Sequence, residues 1–285
     1  MIAHIGGSGT WGSKFPEDLG DPDIELVDQR QYPTSVGDSP PLSRYRYGTR
    51  EFLHTPFHGY FTNDRLRDAE ALFIALKDLG VGAIIVDASV GALNPLLEVG
   101  DIVLPHDVMD FRTSRLSYSS PIAGVRNTVL MAKPFDPELR DYVLGKAQAH
   151  FPRVFRRATT VCVEGARFES PAESRFFRNA GGDVIGMTVC PEVELAHAIG
   201  ARIGVVNVVS NVAEGIEDEA VNPEDMVSAY RGFAKSIGTL LLDVIRNLPE
   251  EMIAPREPDV ARMGDIGGDA GSLLEEATAS WGADT

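Results

Sequence analysis

Residues 159–192 read TTVCVEGARFESPAESRFFRNAGGDVIGMTVCPE, and the rest of the chain can be placed from the punctuation in this stretch. Thr159 to Val163 alternates β-branched and small residues, as a buried strand does. Glu164 to Glu169 is a loop containing Gly165, Arg167, Phe168 and Glu169. Ser170 then stands as a helix cap, with Pro171 in the first turn and Glu173 at capping-box distance. Gly181 and Gly182 stop that helix, Asp183 to Met187 forms a second strand, and Pro191 opens another helix. The result is an α/β unit, and polar loops at the strand ends of such units are where small ligands bind.

The flanking segments continue this alternation. Met1 to Ile5 is a short strand running into Gly6-Gly7-Ser8-Gly9. Glycines let the backbone approach an anion, and successive N–H groups can form a nest for it, although the same residues also suit a plain tight turn. Residues 13–49 are a Pro- and Gly-rich meander with strands near Ile24 to Val27 and Arg44 to Tyr47, and Glu51 to His54 is a further strand. Asn63 is expected to cap a helix that Gly80 ends, with Leu66, Ala69, Leu72, Phe73, Leu76 and Leu79 on its core face. Gly82 to Val86 suits a central strand buried on both faces, and Asp87 to Gly91 reads as the turn that follows. Ile102 to Leu104 is a strand, His106 to Phe111 a loop, 112–135 a longer loop, and Pro137 to Ala149 a helix. Ala201 to Val209 is a hydrophobic strand ending at Ser210-Asn211. Asn222-Pro223 begins a long helix with Met226, Tyr230, Phe233, Ile237, Leu241 and Val244 on one face. Composition changes at Pro249. Residues 1–248 read as one α/β domain, and 249–285 as an acidic, Gly-rich tail expected to be disordered.

Composition narrows the function classes. At 285 residues, with 44% apolar and 24% charged residues, the chain can bury the core of a soluble domain. No run of about 18 apolar residues predicts a membrane span, and MIAHIGGSG lacks the regions of a signal peptide. Cys162 and Cys190 make no disulfide framework and read as inert core thiols, which fits a reducing cytoplasm. A net charge of −16 argues against a nucleic-acid surface and requires that any anion site gather its positive potential locally. No His/Cys/Asp/Glu grouping has metal-ligand spacing, so no metal is expected.

The pattern EGARFES-x-AES followed by DVIGMT-x-x-PE resembles the trimeric purine nucleoside phosphorylase and methylthioadenosine phosphorylase family. Gly6-Gly7-Ser8-Gly9 is similar to that family's phosphate loop. Leu76-Lys77-x-Leu79-Gly80-Val81, Gly91-Ala92-Leu93 and Gly100 to Val103 extend the likeness over residues 1–248. The resemblance implies a mixed, twisted sheet flanked by helices. It also implies a purine nucleoside as substrate, inorganic phosphate as co-substrate with no other cofactor, a homotrimer, and a cytoplasmic enzyme without nucleic-acid or membrane partners.

The resemblance also implies roles. Phe168 would pack on the purine, Met187 would face the ribose hydroxyls, and Ser8, His58, Ser89 and Thr188 would hold phosphate. Glu169 and Asn211 would act on the base as it leaves. Breaking a purine N-glycosidic bond develops positive charge on the sugar and negative charge on the base, so the protein must cover both. An ionised carboxylate only accepts hydrogen bonds, so Glu169 suits the N1–H of guanine or hypoxanthine and repels the bare N1 of adenine. Family members acting on 6-oxopurines carry glutamate there, and they carry asparagine where methylthioadenosine phosphorylases carry aspartate. Asn211 can donate to O6 and accept from protonated N7. Each mispaired buried group costs about 1–3 kcal/mol. Plain structural readings stand beside these roles: a core phenylalanine, a carboxylate at a helix start, an asparagine in a turn.

Two departures matter. Phe57-His58-Gly59 stands where the family has Arg-His-Gly, so the phosphate-clamping arginine is missing. Arg44, Arg46 and Arg65 are the candidates to replace it. Pro223 lies near where oxopurine enzymes place a histidine for the 5′-hydroxyl, which favours a 5′-modified nucleoside such as methylthioinosine. The leading expectation is a phosphorylase acting on a 6-oxopurine nucleoside (inosine, guanosine or such an analogue). Alternatives are a methylthioadenosine phosphorylase, a phosphate-independent hydrolase or transglycosylase, and a non-catalytic nucleoside-binding protein.

Overall fold

The computed structural model describes residues 1–60, 64–117, 119–124, 127–217 and 220–262. Eleven strands share one mixed sheet: β1 (Ile2–Ile5), β2 (Ile24–Arg30), β3 (Leu42–Tyr47), β4 (Arg50–Thr55), β5 (Ala83–Ala92), β6 (Ile102–Val103), β7 (Asp107–Asp110), β8 (Val154–Phe155), β9 (Thr159–Cys162), β10 (Val184–Gly186) and β11 (Arg202–Val212). Along the main path the order is β8-β6-β11-β5-β1-β4-β3-β2, and β10 branches from β5 to carry β9 and then β7. The central strands β11, β5, β1 and β4 run parallel, so their carboxyl ends lie on one edge.

Helices cover both faces, as the α/β expectation required. They are α1 (Arg65–Asp78), α2 (Pro137–His150), α3 (Pro171–Asn179), α4 (Val189–Ile199) and α5 (Pro223–Asn247). Strand periodicity decides which side chain meets which helix. Ile84 and Val86 of β5 join Leu72, Phe73 and Leu76 of α1 and Val193 and Ala196 of α4 in one core. Ile85, on the opposite face, joins Leu139 and Val143 of α2 and Ile237, Leu241 and Val244 of α5. Each fully buried Val, Leu, Ile or Phe side chain among these contributes about 1.5–3 kcal/mol. Cys162 and Cys190 are buried free thiols.

Several sequence expectations need correction. Helix α1 is capped by Asp64, whose carboxylate accepts from the Arg67 N–H; Asn63 lies outside the described residues. Asp87 to Gly91 is no turn, because β5 continues through it paired to β11. The His106 to Phe111 loop contains β7, held by β9. Residues 249–262 are part of the folded body rather than tail. Glu250–Ile253 forms a short helix, α6, with Ile253 buried. Arg202 donates to the carbonyls of Met252 and Ala254, Arg256 pairs with Asp136 at 2.7 Å, and Val260–Arg262 pairs with Asn127–Val129. Low apolar content hid this segment, because polar anchors hold it. Residues 263–285 lie outside the described residues.

Candidate active site

A cavity of about 480 Å³ opens at the carboxyl edge of the sheet. Ser8 follows β1, His58 follows β4, Ser89 lies in the second half of β5, Phe168 and Glu169 follow β9, Met187 and Thr188 follow β10, and Asn211 lies next to the end of β11. All eight residues line this one cavity.

Local rules explain the placement at one end. Ser170 and Glu173 form the expected capping box, and Arg167 clasps Glu173 with two hydrogen bonds of 2.8 and 2.7 Å. Those bonds, with the Ser170 N–H, hold the Glu173 carboxyl down at about 2. The helix start is therefore served by Glu173, and Glu169 is not needed there. Glu169 is buried at 6% exposure and accepts from the Glu214 N–H at 3.3 Å, and Oε2 has no hydrogen-bond partner among the described residues. Phe168 is 42% exposed, which excludes it from the core. Ala166 in the same loop has φ +76°, a left-handed backbone that costs a non-glycine residue about 1–2 kcal/mol.

Asn211 owes its position to an irregularity. The β5–β11 register shifts between Val209 and Asn211, so Asn211 lies opposite Gly91. Such bulges re-aim side chains. A Cβ on Gly91 would meet the Asn211 Nδ2 at 3.2 Å, so the glycine leaves room for that amide. Nδ2 donates to the Val212 carbonyl at 3.0 Å and Oδ1 accepts from the Ser210 hydroxyl at 2.8 Å. One N–H and one lone pair of the amide remain for a ligand.

The other end is built differently. The Ser8 and Ser89 hydroxyls are in close contact, and the Ser89 N–H donates to Ser8 Oγ at 3.1 Å. Thr188 sits at the start of α4 with its hydroxyl making no capping bond. The backbone at Cys190 is non-helical, so the regular turns of α4 begin at Pro191, as its sequence predicts. His58 donates through Nε2 to Glu192 Oε1 at 2.8 Å, and Glu192 is fully buried.

The glycine loop does not offer the open nest that its sequence suggests. The buried Asp87 carboxylate accepts from the N–H groups of Gly7 and Thr10, each at 3.0 Å, and from His4 Nε2 at 2.9 Å. Burial alone would raise the Asp87 pKa, but the hydrogen bonds from His4 and Gly7 outweigh it and leave a net lowering. Behind them, burial drives His54 down to about 3, so it sits neutral with its Nδ1 at 3.0 Å from that of His4.

Sequence reading missed or only glimpsed four lining residues. Trp11 follows the glycine loop and meets Tyr230 of α5 edge-on at 6.4 Å. Gly12 makes that approach possible, since a Cβ there would lie 2.6 Å from the Arg231 Cα. Met226 extends the same wall. Pro223 does not reach the cavity and lines a separate groove with Val227 and Arg231, which removes it from the 5′ region. Arg65, at the first position of α1, also lines the cavity. Arg44 and Arg46 do not; they pair with Glu51 and Glu25 on the outer strands. The signals were faint, because a tryptophan beyond a glycine loop and an arginine at a helix start belong to no motif.

Among the described residues no group of three His, Cys, Asp or Glu side chains could hold a metal ion, and no helix is long and apolar enough to cross a membrane.

Together these features define an α/β protein with a cavity at the carboxyl ends of its central parallel strands, the place where such folds bind small ligands. The model of the phosphorylase superfamily matches residues 68–246. A probable 6-oxopurine nucleoside phosphorylase of Moorella thermoacetica is 31% identical over 254 residues, covering 88% of this chain and 94% of that protein. The S-methyl-5′-thioadenosine phosphorylase of Thermofilum pendens is 31% identical over 258 residues, covering 88% and 93%. Among solved structures, the methylthioadenosine phosphorylase of Schistosoma mansoni in complex with adenine superposes with a TM-score of 0.70 at 24% identity, covering 86% of this chain and 90% of that one, a likeness of fold. The chain belongs to the phosphorylase superfamily.

Proposed function

We propose that this protein is a purine nucleoside phosphorylase acting on a 6-oxopurine nucleoside. The observation that carries the reading is the meeting of Glu169, Asn211 and Phe168 in one cavity. Glu169 accepts from the purine N1–H, Asn211 donates to O6 and accepts from N7–H, and Phe168 packs on the ring. A phosphate oxygen bonds to the anomeric carbon as the bond to N9 breaks. The bonding pair passes into the purine, which leaves with a proton at N7 taken up from solvent. Ser8, His58, Ser89 and Thr188 hold the phosphate, and Met187 faces the ribose. Relatives named for 6-oxopurine nucleosides support this substrate class.

The apolar wall of Trp11, Met226 and Tyr230 favours a 5′-alkylthio group over a hydroxyl, so methylthioinosine is the preferred substrate within the class. A relative named as a probable methylthioinosine phosphorylase is in keeping with this. The reading includes a cytoplasmic homotrimer with no metal. Light scattering should then give three times the 30.8 kDa of one chain.

The test is release of free base from inosine, guanosine, methylthioinosine and methylthioadenosine, each with and without phosphate. Phosphate-dependent release of hypoxanthine or guanine is the expected result. Release unaffected by phosphate, or none from any 6-oxopurine nucleoside, rejects the proposal.

A further inference from the structure

We infer that Arg65, seated on the Phe57 ring, is the cation that holds the attacking phosphate. This rests on the phosphorylase reading above and assigns a part of that site which the usual position 57 cannot fill. Two arginines line the cavity among the described residues, Arg65 and Arg112. Arg112 is spent: Nε and Nη2 bind the Asp110 carboxylate at 3.0 and 2.9 Å, and Nη2 also reaches Glu194 at 3.2 Å.

Arg65 is differently held. Its guanidinium carbon lies 4.3 Å above the Phe57 ring centroid, and Nη1 donates to the Phe57 carbonyl at 3.1 Å. Both contacts fix the group without neutralising it. Nη2 has no hydrogen-bond partner among the described residues. It lies 3.7 Å from Glu192 Oε1, the same oxygen that His58 reaches at 2.8 Å. The guanidinium and the His58 ring therefore flank one carboxylate oxygen, which puts the charge beside a predicted phosphate ligand.

Two independent points make the placement purposeful. A cation in the first turn of a helix opposes the helix dipole, so α1 gains nothing from Arg65 at that position. The charge balance also favours it. Asp87 occupies amides of the glycine loop and Glu192 lies buried beside His58, so a phosphate dianion would meet two carboxylates. Among the described residues that line the cavity, Arg65 is the cation with a nitrogen left for it, held to Glu192 at 3.7 Å without a hydrogen bond. Phe57 does not replace a clamp; it provides the seat from which a clamp on the neighbouring helix reaches in.

The experiment compares wild type with Arg65→Met, which keeps the stem and removes the charge, and with Arg46→Gln, which removes a charge paired on the outer strands. Kinetics with varied phosphate and varied methylthioinosine are run beside calorimetry of inorganic phosphate alone. Arg65→Met should raise the phosphate KM about 10- to 100-fold, the loss of a charge-assisted contact, with nucleoside KM within about threefold. Phosphate binding should weaken in parallel, and Arg46→Gln should leave both values unchanged. If Arg65→Met does not fold, Arg65→Gln carries the same reading. Phosphate-dependent wild type with a phosphate KM moved less than twofold in the Arg65 variant overturns the inference and leaves the phosphorylase reading standing. An equal rise in Arg46→Gln also overturns it, because the effect is then one of overall charge. Base release without phosphate in wild type overturns the phosphorylase reading itself.

Discussion

The two ends of the cavity are made in different ways. At the proposed base end, Glu169 is tied to the distant Glu214 N–H and Asn211 to its chain neighbours, and each is left with spare hydrogen-bonding capacity. The carboxylate is presented on a loop that the capping of α3 closes, and the amide on a strand whose bulge and facing Gly91 make room for it. At the proposed nucleophile end, the backbone amides already hold an internal carboxylate, and the guanidinium at a helix start is ion-paired with Glu192 while Nη2 keeps no hydrogen-bond partner among the described residues. In the proposed function, recognition of the base rests on side-chain identity at fixed offsets, and anion binding rests on where charges settle in three dimensions.

The largest effect should come from the base end. Glu169→Ala removes the acceptor for N1–H and should lower kcat/KM on a 6-oxopurine nucleoside by about 100-fold or more, with the loss on methylthioadenosine at least tenfold smaller. Equal losses on both would show that Glu169 serves the fold instead. Asn211→Asp should follow, with about 30-fold loss on methylthioinosine and a rise in the relative rate on methylthioadenosine, read as a ratio of kcat/KM values.

A smaller effect lies behind the nucleophile end and concerns stability. His54 has a folded pKa of about 3 against an unfolded value near 6.5 because it is buried, so its contribution is complete above pH 6.5 and is lost as pH falls toward 3. Asp87, also lowered, adds a loss that begins only below its unfolded value of 3.8. Between pH 6.5 and 4.5 urea unfolding should therefore show stability falling by up to about 1.4 kcal/mol per pH unit from His54. His54→Gln should flatten that limb. An unchanged slope would mean that His54 is already charged in the folded protein. The smallest effect is expected from Trp11→Ala, about a three- to tenfold loss in kcat/KM on methylthioinosine with little change on inosine, as for the loss of one apolar contact. Equal losses on the two substrates would remove Trp11 from the 5′ wall.

Much of the fold was legible because its signals are local. Ser170, Pro171 and Glu173 mark one helix start, Asn222 and Pro223 another, and the apolar period of residues 69–76 places α1 against the sheet. The eight residues singled out from the sequence share one cavity because each lies in or just after a strand that reaches it: Ser89 and Asn211 within the last residues of β5 and β11, the others in the segments after β1, β4, β9 and β10. What stayed hidden depends on contacts across the chain. Asp87 looked like a turn residue, and only the pairing of β5 with β1 brings its carboxylate under Gly7 and Thr10. Residues 249–262 looked like tail, because their anchors reach across the chain: Arg202 to the Ala254 carbonyl and Arg256 to Asp136. Arg65 belongs to no motif and stood in the sequence beside Arg44 and Arg46 as one of three candidates; only its seat on Phe57 sets it apart.

The most direct measurement uses two substrates that differ only at C6 of the purine. With saturating phosphate, kcat/KM on methylthioinosine divided by that on methylthioadenosine isolates what Glu169 and Asn211 do. A ratio of about 100 is expected from two mispaired buried groups. A ratio at or below one would contradict the base assignment on which the proposed function stands.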